Sequence, residues 1–277
     1  MKLGLAFFAT DISADVREVA QAAEAAGFES LFVPEHSHIP TSRVSPYPAG
    51  GELPMDYARC LDPFVALTAV AGVTSTLKLG TGITLVTERD PIHLAKEVAS
   101  VDFLSNGRVV LGVGCGWNAE EMADHGTDPT KRWGVTRDRV KAVKTLWTQE
   151  RASYDGPYVS FSESWQWPKP VQKPFVPVHI GGSSPTSLRH AVEYAEGWMP
   201  MPDPAYGSMS ERIVLANRLC DEAHRPHLEI TAYAATPKAE VIEHYERIGI
   251  TRMVFLMKIG APAAETIRQI EQLAVLV

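Results

Sequence analysis

The segment LFVPEHSH at residues 31–38 ends a short apolar run with a carboxylate and two histidines, Glu35, His36 and His38. Histidine titrates near neutral pH, so His36 could act as a general acid or base, while Glu35 could tune it or bond a cofactor. The spacing of His36 and His38 also fits the start of a metal site. A histidine in an exposed loop needs no function at all. The residue types alone leave these interpretations open.

A second chemical candidate is RVVLGVGCGWNAEE at residues 108–121, where an apolar run meets Gly112, Gly114 and Gly116. A dinucleotide-binding fingerprint requires the spacing G-x-G-x-x-G. Here the glycines alternate and Trp117 follows the last of them, so the spacing excludes that fingerprint. Alternate glycines leave one face of a strand bare. Either a flat ligand lies against that face, or the glycines allow close packing inside a narrow barrel.

A third candidate, PVHIGGSSPTSLRHA at residues 177–191, has Gly181 and Gly182 before a predicted helix that Ser184 can cap. The free N–H groups at the start of such a helix, together with the hydroxyls of Ser183 and Ser184, favour a phosphate site over an ordinary capped loop.

Gly80 and Gly82 lie inside another apolar run, KLGTGITLV at 78–86. Glycines there indicate a bulge or strained peptide beside a ligand, or barrel packing.

Short apolar runs that alternate with helical stretches must position these residues. The runs are continuously apolar, which is typical of parallel strands buried on both faces. Eight strands are predicted, at 3–8, 30–35, 77–85, 109–114, 176–181, 197–201, 229–234 and 253–257. The first helix is predicted to begin after Ser13, and others at 63–73, 91–104, 137–148, 185–195, 210–222, 238–248 and 263–273. About eight βα units predict a (β/α)8 TIM barrel in one domain, residues 1–277, with an open doubly wound sheet as the competing fold.

Two long connections could cover the carboxyl ends of the strands, where a barrel carries its chemistry. They are residues 36–62 and 149–177, both rich in proline. Each connection is either a lid or substrate wall or a packed surface loop.

Charge and cysteine content narrow the class of protein. The 277 residues carry a formal charge of −7, which argues against nucleic-acid and anionic-membrane surfaces because both need basic footprints. Three scattered cysteines, Cys60, Cys115 and Cys220, fit a reducing compartment. No signal peptide or transmembrane stretch is recognisable. We therefore expect a cytoplasmic protein that acts on a small molecule.

Four segments together resemble the luciferase-like monooxygenase superfamily, and most closely its branch that uses the deazaflavin coenzyme F420. They are VPEH at 33–36, LGTGITL at 79–85, DPIHLAKEVASVDFLSNGRVVLGVGCGWNAEE at 90–121 and PKPVQKPFVPVHIGGSSPTSLRHAVEYAEGWMP at 168–200. The resemblance implies a luciferase-like (β/α)8 barrel with long loops at its C-terminal face. A flavin-type ring would lie across the strand ends, and the protein would be a homodimer.

The resemblance also implies roles for individual residues. His36 is the expected catalytic acid or base, and a non-prolyl cis peptide is expected at Gly82–Ile83. Trp117 and His38 are expected to contact substrate, and no metal ligand is expected. Trp117 stands where relatives that oxidise sugar phosphates carry a glutamate, which makes a sugar phosphate an unexpected substrate. The expected cofactor contacts are Glu35, Thr81, Gly82, Ile83, Gly114, Cys115, Gly116, Gly181, Gly182, Ser183 and Ser184.

The resemblance thus implies an F420-dependent oxidoreductase that transfers a hydride between the deazaflavin and a small organic substrate. An FMN-dependent monooxygenase with the same fold is the alternative. A metal-dependent barrel hydrolase using His36, His38 and His179 is disfavoured, because its H-x-H pair usually follows the first strand and here follows the second. A non-catalytic cofactor carrier is the remaining alternative.

Overall fold

Parallel strands that close into a barrel form the centre of the molecule. The computed structural model describes residues 1–277. The strands are β1 (Lys2–Ala6), β2 (Ser30–Val33), β3 (Lys78–Thr81), β4 (Thr84–Leu85), β5 (Val109–Gly114), β6 (Ala152–Asp155), β7 (Ser160–Ser164), β8 (Val178–Gly181), β9 (Gly197–Met199), β10 (Glu229–Tyr233) and β11 (Arg252–Leu256). Nine of them form one sheet in the order β3-β2-β1-β11-β10-β9-β8-β5-β4, and pairing of β3 with β5 closes it. Because β4 continues β3, the nine strands occupy eight positions around the barrel. The predicted (β/α)8 fold is therefore confirmed.

Helices surround the barrel and connect its strands. They are α1 (Val16–Ala25), α2 (Pro63–Ala71), α3 (Pro91–Leu104), α4 (Ala119–Asp124), α5 (Arg132–Thr148), α6 (Pro185–Tyr194), α7 (Met209–Glu222), α8 (Ala239–Arg247) and α9 (Ala263–Ala274). None of them combines the length and the apolar character that crossing a bilayer requires.

Two helices begin at residues other than those predicted. The side chain that caps α1 is Asp15, which accepts the N–H of Arg17, whereas Ser13 bonds the backbone of Thr10. Helix α5 begins at Arg132, five residues before the predicted start. Gly134 in its first turn weakens the helical signal of the sequence, and packing in the folded protein outweighs that weakness.

The predicted strand 77–85 is interrupted between β3 and β4. The Gly82–Ile83 peptide bond at this interruption is cis, as the resemblance implies. The N–H of Gly82 donates to the carbonyl of Val33 at the end of β2, at 2.8 Å. The interruption thus lies where the strand ends form the C-terminal mouth of the barrel.

The connection at residues 149–177 packs on the outside of the barrel. Its strands β6 and β7 form an antiparallel hairpin that the sequence analysis did not predict. Asp138 of α5 accepts bonds from the Tyr154 hydroxyl and from the N–H groups of Tyr158 and Val159. Asp102 of α3 accepts two further N–H groups, from Val171 and Gln172. These bonds hold the connection against α3 and α5, which favours the packed-surface interpretation.

Candidate functional site

The carboxyl ends of the parallel strands all face one end of the barrel, and most of the predicted site residues follow them. His36 follows β2, Gly82 and Ile83 follow β3, and Trp117 follows β5. Gly82, Ile83 and Trp117 are half-buried, whereas the strand residues before them are mostly buried. These positions form an accessible mouth over a closed core.

A histidine–carboxylate pair lies at this mouth. His36 Nδ1 is 2.7 Å from Glu121 Oε2, and both side chains are almost completely buried. The other oxygen of Glu121 accepts the N–H of Ser37 at 2.9 Å. A proton on Nδ1 therefore has an acceptor, which leaves Nε2 as the atom that can exchange a proton with a ligand. Asn118 caps α4 by accepting the backbone N–H of Glu121, which fixes the first turn of the helix that carries the carboxylate.

Glu121 was not among the predicted site residues. The only signal in the sequence is local: Asn118 is a good N-cap, and an acidic side chain suits the first turn that follows it. Nothing in that pattern indicates that the carboxylate meets a histidine 85 residues earlier in the chain.

Aromatic rings surround His36. The Tyr57 and Trp117 rings lie 5.3 and 5.8 Å from the imidazole, measured between centroids. Tyr47 packs on both, with centroids 5.3 Å from Tyr57 and 6.2 Å from Trp117. Burial raises the pKa of Tyr57, so its hydroxyl stays protonated. Two of these rings come from the connection at 36–62, which therefore forms a wall of the mouth.

A small hydrogen-bonded clamp holds this connection to α4. The N–H of Ser45 donates to Glu120 at 2.9 Å, the Ser45 hydroxyl donates to the same carboxylate, and the N–H of Ala119 donates to that hydroxyl at 3.0 Å. The Ser45 hydrogen bonds lower the pKa of Glu120 to about 2. The clamp is therefore intact at neutral pH.

Glu35 has a different environment from His36, its neighbour in sequence. Its oxygens accept the N–H of Leu85 at 2.8 Å and the Arg89 Nε at 2.5 Å. Arg89 also pairs with Glu97 and Asp62. The carboxylate that can tune His36 is thus Glu121, and Glu35 fixes the turn after β4. Its contact with a cofactor stays a prediction.

The alternate glycines of β5 make room for a side chain. A Cβ on Gly114 would lie 1.6 Å from Ile83 Cδ1, and one on Gly181 would lie 2.8 Å from Ile83 Cγ2. Gly116 has φ +75°, a conformation that favours glycine. Ile83 thus fills the space that the bare strand face leaves, and a flat ligand in the mouth would meet Ile83 rather than the glycines.

Thr81 and Cys115, two expected cofactor contacts, lie below this surface. Thr81 is completely buried and donates its hydroxyl to the carbonyl of Gly112 at 2.8 Å. Cys115 is buried as well, and burial raises the pKa of its thiol to about 11. Both residues support the mouth from beneath.

The Gly181–Ser184 junction offers backbone donors. Ser184 caps α6 as predicted, by accepting the N–H of Ser187 at 3.2 Å, and the Ser183 hydroxyl bonds the carbonyl of Met201 at 3.0 Å. Gly182 has φ +108° and donates its N–H to Met199. The N–H groups of Ser183 and Ser184 donate to no group of the chain. A phosphate at this junction would be held by main-chain N–H groups while the hydroxyls hold the loop.

The histidines proposed for a metal site lie apart. His38 is partly exposed and bonds Asp124 at 3.0 Å. His179 is completely buried in β8, opposite the first residue of β9, and burial lowers its pKa to about 4. No group of three His, Cys, Asp or Glu side chains has a geometry that could hold a metal ion. The hydrolase alternative therefore has no set of ligands.

Comparison with known proteins identifies relatives. A family model described as luciferase-like monooxygenase matches residues 9–254. An uncharacterised protein of Mycobacterium tuberculosis is 40% identical over 262 residues, which cover 93% of this chain and 92% of that protein. An F420-dependent glucose-6-phosphate dehydrogenase of Amycolatopsis mediterranei is 30% identical over 189 residues, which cover 67% of this chain and 52% of that enzyme. The solved structure of monooxygenase RslO1 from Streptomyces bottropensis has the same fold, with a TM-score of 0.80 at 18% identity, covering 100% of this chain and 98% of that chain.

Proposed function

The chain belongs to the luciferase-like monooxygenase family, and from that premise we propose that it is an F420-dependent oxidoreductase that acts on a small organic substrate. The observation that carries the proposal is the His36–Glu121 pair at the mouth of the barrel. Hydride transfer to or from a carbonyl or alcohol carbon requires a second group that moves a proton, and His36 is placed to do so. The relative named as an F420-dependent dehydrogenase supports the choice of cofactor.

The residues present fit a deazaflavin. The half-buried Ile83 side chain gives an apolar floor for a ring. The N–H groups of Ser183 and Ser184, which donate to no group of the chain, suit the cofactor phosphate. When bound, the deazaflavin supplies two-electron hydride chemistry.

The chain's own part in the reaction is proton transfer and exclusion of water. With Nδ1–H bonded to Glu121, His36 Nε2 accepts the proton of a substrate hydroxyl, and the adjacent carboxylate stabilises the imidazolium that forms. In the reverse direction the same atom donates the proton. Tyr57 and Trp117 cover the imidazole and limit the access of water to it.

The aromatic wall supports a weakly polar substrate. The rings around His36 are those of Tyr47, Tyr57 and Trp117, and no lysine or arginine is among them. A sugar phosphate would leave its two negative charges without a cation here, which disfavours it. We therefore propose a small alcohol or carbonyl compound as the substrate class.

A paired titration of the purified protein with F420 and with FMN tests the cofactor, with dissociation constants measured by fluorescence. We expect F420 to bind more tightly. Tight binding of FMN without binding of F420 would reject the proposal in favour of the flavin monooxygenase alternative. Monooxygenase RslO1 has the same fold, so the fold is compatible with that alternative.

A turnover screen separates an enzyme from a carrier. Reduced and oxidised F420 are mixed with the protein and a panel of alcohols, ketones and aldehydes, with glucose 6-phosphate included, and the cofactor absorbance is followed. We expect turnover with a member of the weakly polar set. Tight F420 binding without turnover on any class of compound would favour the non-catalytic carrier.

We also propose that the protein is a homodimer, as its resemblance to the family implies. Ile12, Leu61 and Val65 are apolar and exposed near the start of α2, where a second subunit could cover them. Light scattering during size-exclusion chromatography tests the assembly, and a monomeric mass would refute it.

A further inference from the structure

Arg212 is a buried arginine that the proposed reaction does not use. It lies near the start of α7 and is 5% exposed. Its guanidinium donates to the carbonyl of Met201, at 3.1 Å from each terminal nitrogen, and to the sulfur of Met209, while its Nε has no partner. A guanidinium stays charged at neutral pH, so the chain buries a cation here without an anion beside it.

Three arginines of the chain are buried, and the other two are compensated. Arg252 pairs with Glu29 and Glu229. Arg108 has no carboxylate partner, but it donates to four backbone carbonyls, those of Ala71, Thr74, Leu77 and Ser105. Arg212 has a single carbonyl. Its positive charge is therefore the one buried arginine charge that the folded chain leaves largely unbalanced.

Two carboxylates close to Arg212 in the chain hold main-chain N–H groups instead. Asp203 accepts the N–H of Ala205 at 2.9 Å, and Glu211 accepts the N–H of Ser208 at 2.8 Å. Arg212 also lies at the N-terminal end of α7, where the helix carries partial positive charge. A cation is disfavoured at that end, so its place in the helix adds to the imbalance.

The carbonyl of Met201 connects Arg212 to the Gly181–Ser184 junction. It accepts the Ser183 hydroxyl at 3.0 Å, and the same hydroxyl oxygen accepts the N–H of Met201 at 3.0 Å. The guanidinium is thus two hydrogen bonds away from Ser183, whose N–H, like that of Ser184, donates to no group of the chain. These free N–H groups lie at the N-terminus of α6. A helix N-terminus and a buried cation therefore act on the same place.

We propose that Arg212 is the fixed counter-charge for an anion of the phosphate class bound at the N–H groups of Ser183 and Ser184. The N–H groups hold the anion directly, and Arg212 acts from behind them, through the Met201 carbonyl and the Ser183 hydroxyl. Because the guanidinium is buried, solvent and salt screen its charge only weakly. Arg212 is thus a positioning residue, and the identification of the anion with the cofactor phosphate rests on the proposed function.

Inorganic phosphate and the full chain without cofactor test the anion site, with ionic strength kept constant by chloride. Nuclear magnetic resonance follows the amide signals of Ser183 and Ser184, and thermal unfolding gives Tm. In the wild type, phosphate should shift both signals and raise Tm. Arg212→Gln keeps an N–H donor but removes the charge, so it should weaken phosphate binding by about tenfold or more. Arg212→Lys keeps the charge and should retain most of the affinity.

Arg218→Gln is the matched control, since it makes the same substitution at an exposed position of α7 that pairs with Glu222. It should bind phosphate as the wild type does. If Arg212 served only to anchor the Met201 carbonyl, Arg212→Gln would lower Tm without phosphate and leave the affinity for phosphate unchanged. We expect the opposite, because removal of an uncompensated buried charge does not destabilise the protein without ligand. If Arg212→Gln does not fold, Arg212→Met gives the same comparison.

The cofactor offers a second test of the same charge. F420 and the deazaflavin ribityl compound that lacks the phosphate group are titrated by fluorescence. In Arg212→Gln the dissociation constant of F420 should rise by about tenfold or more, while that of the phosphate-free compound should be unchanged. Failure of F420 to bind would count against the proposed function, and the phosphate titration would still decide on the anion site. Amide signals of Ser183 and Ser184 that do not respond to phosphate, or an Arg212→Gln variant with wild-type phosphate affinity, would overturn the proposal.

Discussion

His36 and Glu121 combine two properties that general acid–base catalysis needs, a proton-transferring atom and a fixed orientation. Glu121 binds Nδ1, so the imidazole cannot rotate away from the mouth, and Nε2 remains free of this bond. The aromatic neighbours Tyr57 and Trp117 hold the ring from the sides. In the proposed reaction the pair would thus hold one transferable proton at Nε2 in a fixed position.

Replacement of His36 by alanine tests this role. We expect His36→Ala to lower kcat by about 10²- to 10⁴-fold, the usual contribution of a general acid or base. The dissociation constant of F420 should be nearly unchanged, because the floor at Ile83 and the N–H groups at Ser183 and Ser184 remain. Steady-state kinetics and fluorescence titration measure the two quantities. His93→Ala is the matched control, since that side chain is 83% exposed. Unchanged turnover in His36→Ala would remove His36 from the mechanism.

Glu88 ends the short turn Val86–Glu88 after β4, is buried, and has no hydrogen-bond partner on either oxygen. Its pKa predicts how stability depends on pH. A carboxyl whose folded pKa is raised to about 9 binds more protons in the folded than in the unfolded state. Its contribution to stability is therefore greatest below the unfolded pKa of about 4.3 and is lost as pH rises towards the folded pKa. Glu88→Gln has no such loss. It should be more stable than the wild type by about 1–3 kcal/mol near pH 8, and the difference should shrink towards pH 5.

Urea unfolding at several pH values measures this difference. Glu163→Gln, which changes an exposed carboxylate paired with Arg151, should show no comparable pH dependence. A constant difference between Glu88→Gln and the wild type across the range would mean that Glu88 ionises normally in the folded protein.

The residues of the site were only partly predictable from sequence. His36 could be found because its type and its place after an apolar run indicate chemistry at a strand end. The alternate glycines correctly indicated a bare strand face, but Ile83, which fills it, lies on another strand. Glu121 could not be found, because its role depends on a contact with His36, which is distant in sequence.

The connection between β2 and α2 acts as one unit at the mouth. It supplies Tyr47 and Tyr57, and its clamp to α4 depends on Ser45 and Glu120. Removal of the clamp should leave the barrel intact while the wall opens more often, because the connection contributes little to the main core.

Glu120→Ala tests this clamp. Cleavage by trypsin after the exposed Arg43 should accelerate by roughly two- to tenfold, which corresponds to the loss of one or two net hydrogen bonds. The KM for the substrate should rise by a similar factor, since Tyr47 loses its fixed position. Thermal unfolding should be nearly unchanged. Glu52→Ala alters an exposed carboxylate on the same connection and is the control. Equal cleavage rates in the two variants would show that the clamp does not restrain the wall.

The sequence predicts elements well where burial gives them a pattern. The barrel strands were found because both their faces are buried, which makes them continuously apolar. The hairpin of β6 and β7 was missed because most of its side chains are exposed, and its sequence therefore resembles a loop. The strand predicted at 77–85 is interrupted at Gly82–Ile83. The apolar pattern does not predict this interruption, because apolar residues lie on both sides of it.

At the scale of the whole molecule, one buried arginine joins segments that are distant in sequence at one end of the barrel. Arg252 of β11 is buried and bonds both oxygens of Glu29, at 2.8 Å each, across 223 residues of sequence. It also bonds the Thr231 hydroxyl and pairs with Glu229, both on β10. One guanidinium thus ties β11 to β10 and to the residue before β2, at the end of the barrel opposite the mouth.

Arg252→Ala should therefore destabilise the barrel, by about 3 kcal/mol, because it leaves Glu29 without its partner and Glu229 with only the half-exposed Lys2. Arg252→Lys should recover only part of this loss, since an ammonium cannot make the paired bonds of the guanidinium.

Burial alone would raise the pKa of Glu29, but the Arg252 hydrogen bonds and charge outweigh it and lower that pKa. The stability from this pair is thus present above the unfolded pKa and is lost as pH falls, so the difference between variant and wild type should narrow in acid. Urea unfolding measures it, with Lys258→Ala, from an exposed pair, as the control that should change little. If Arg252→Ala unfolds at the wild-type midpoint, the backbone ladder and apolar packing, and not this ion pair, stabilise that end of the barrel.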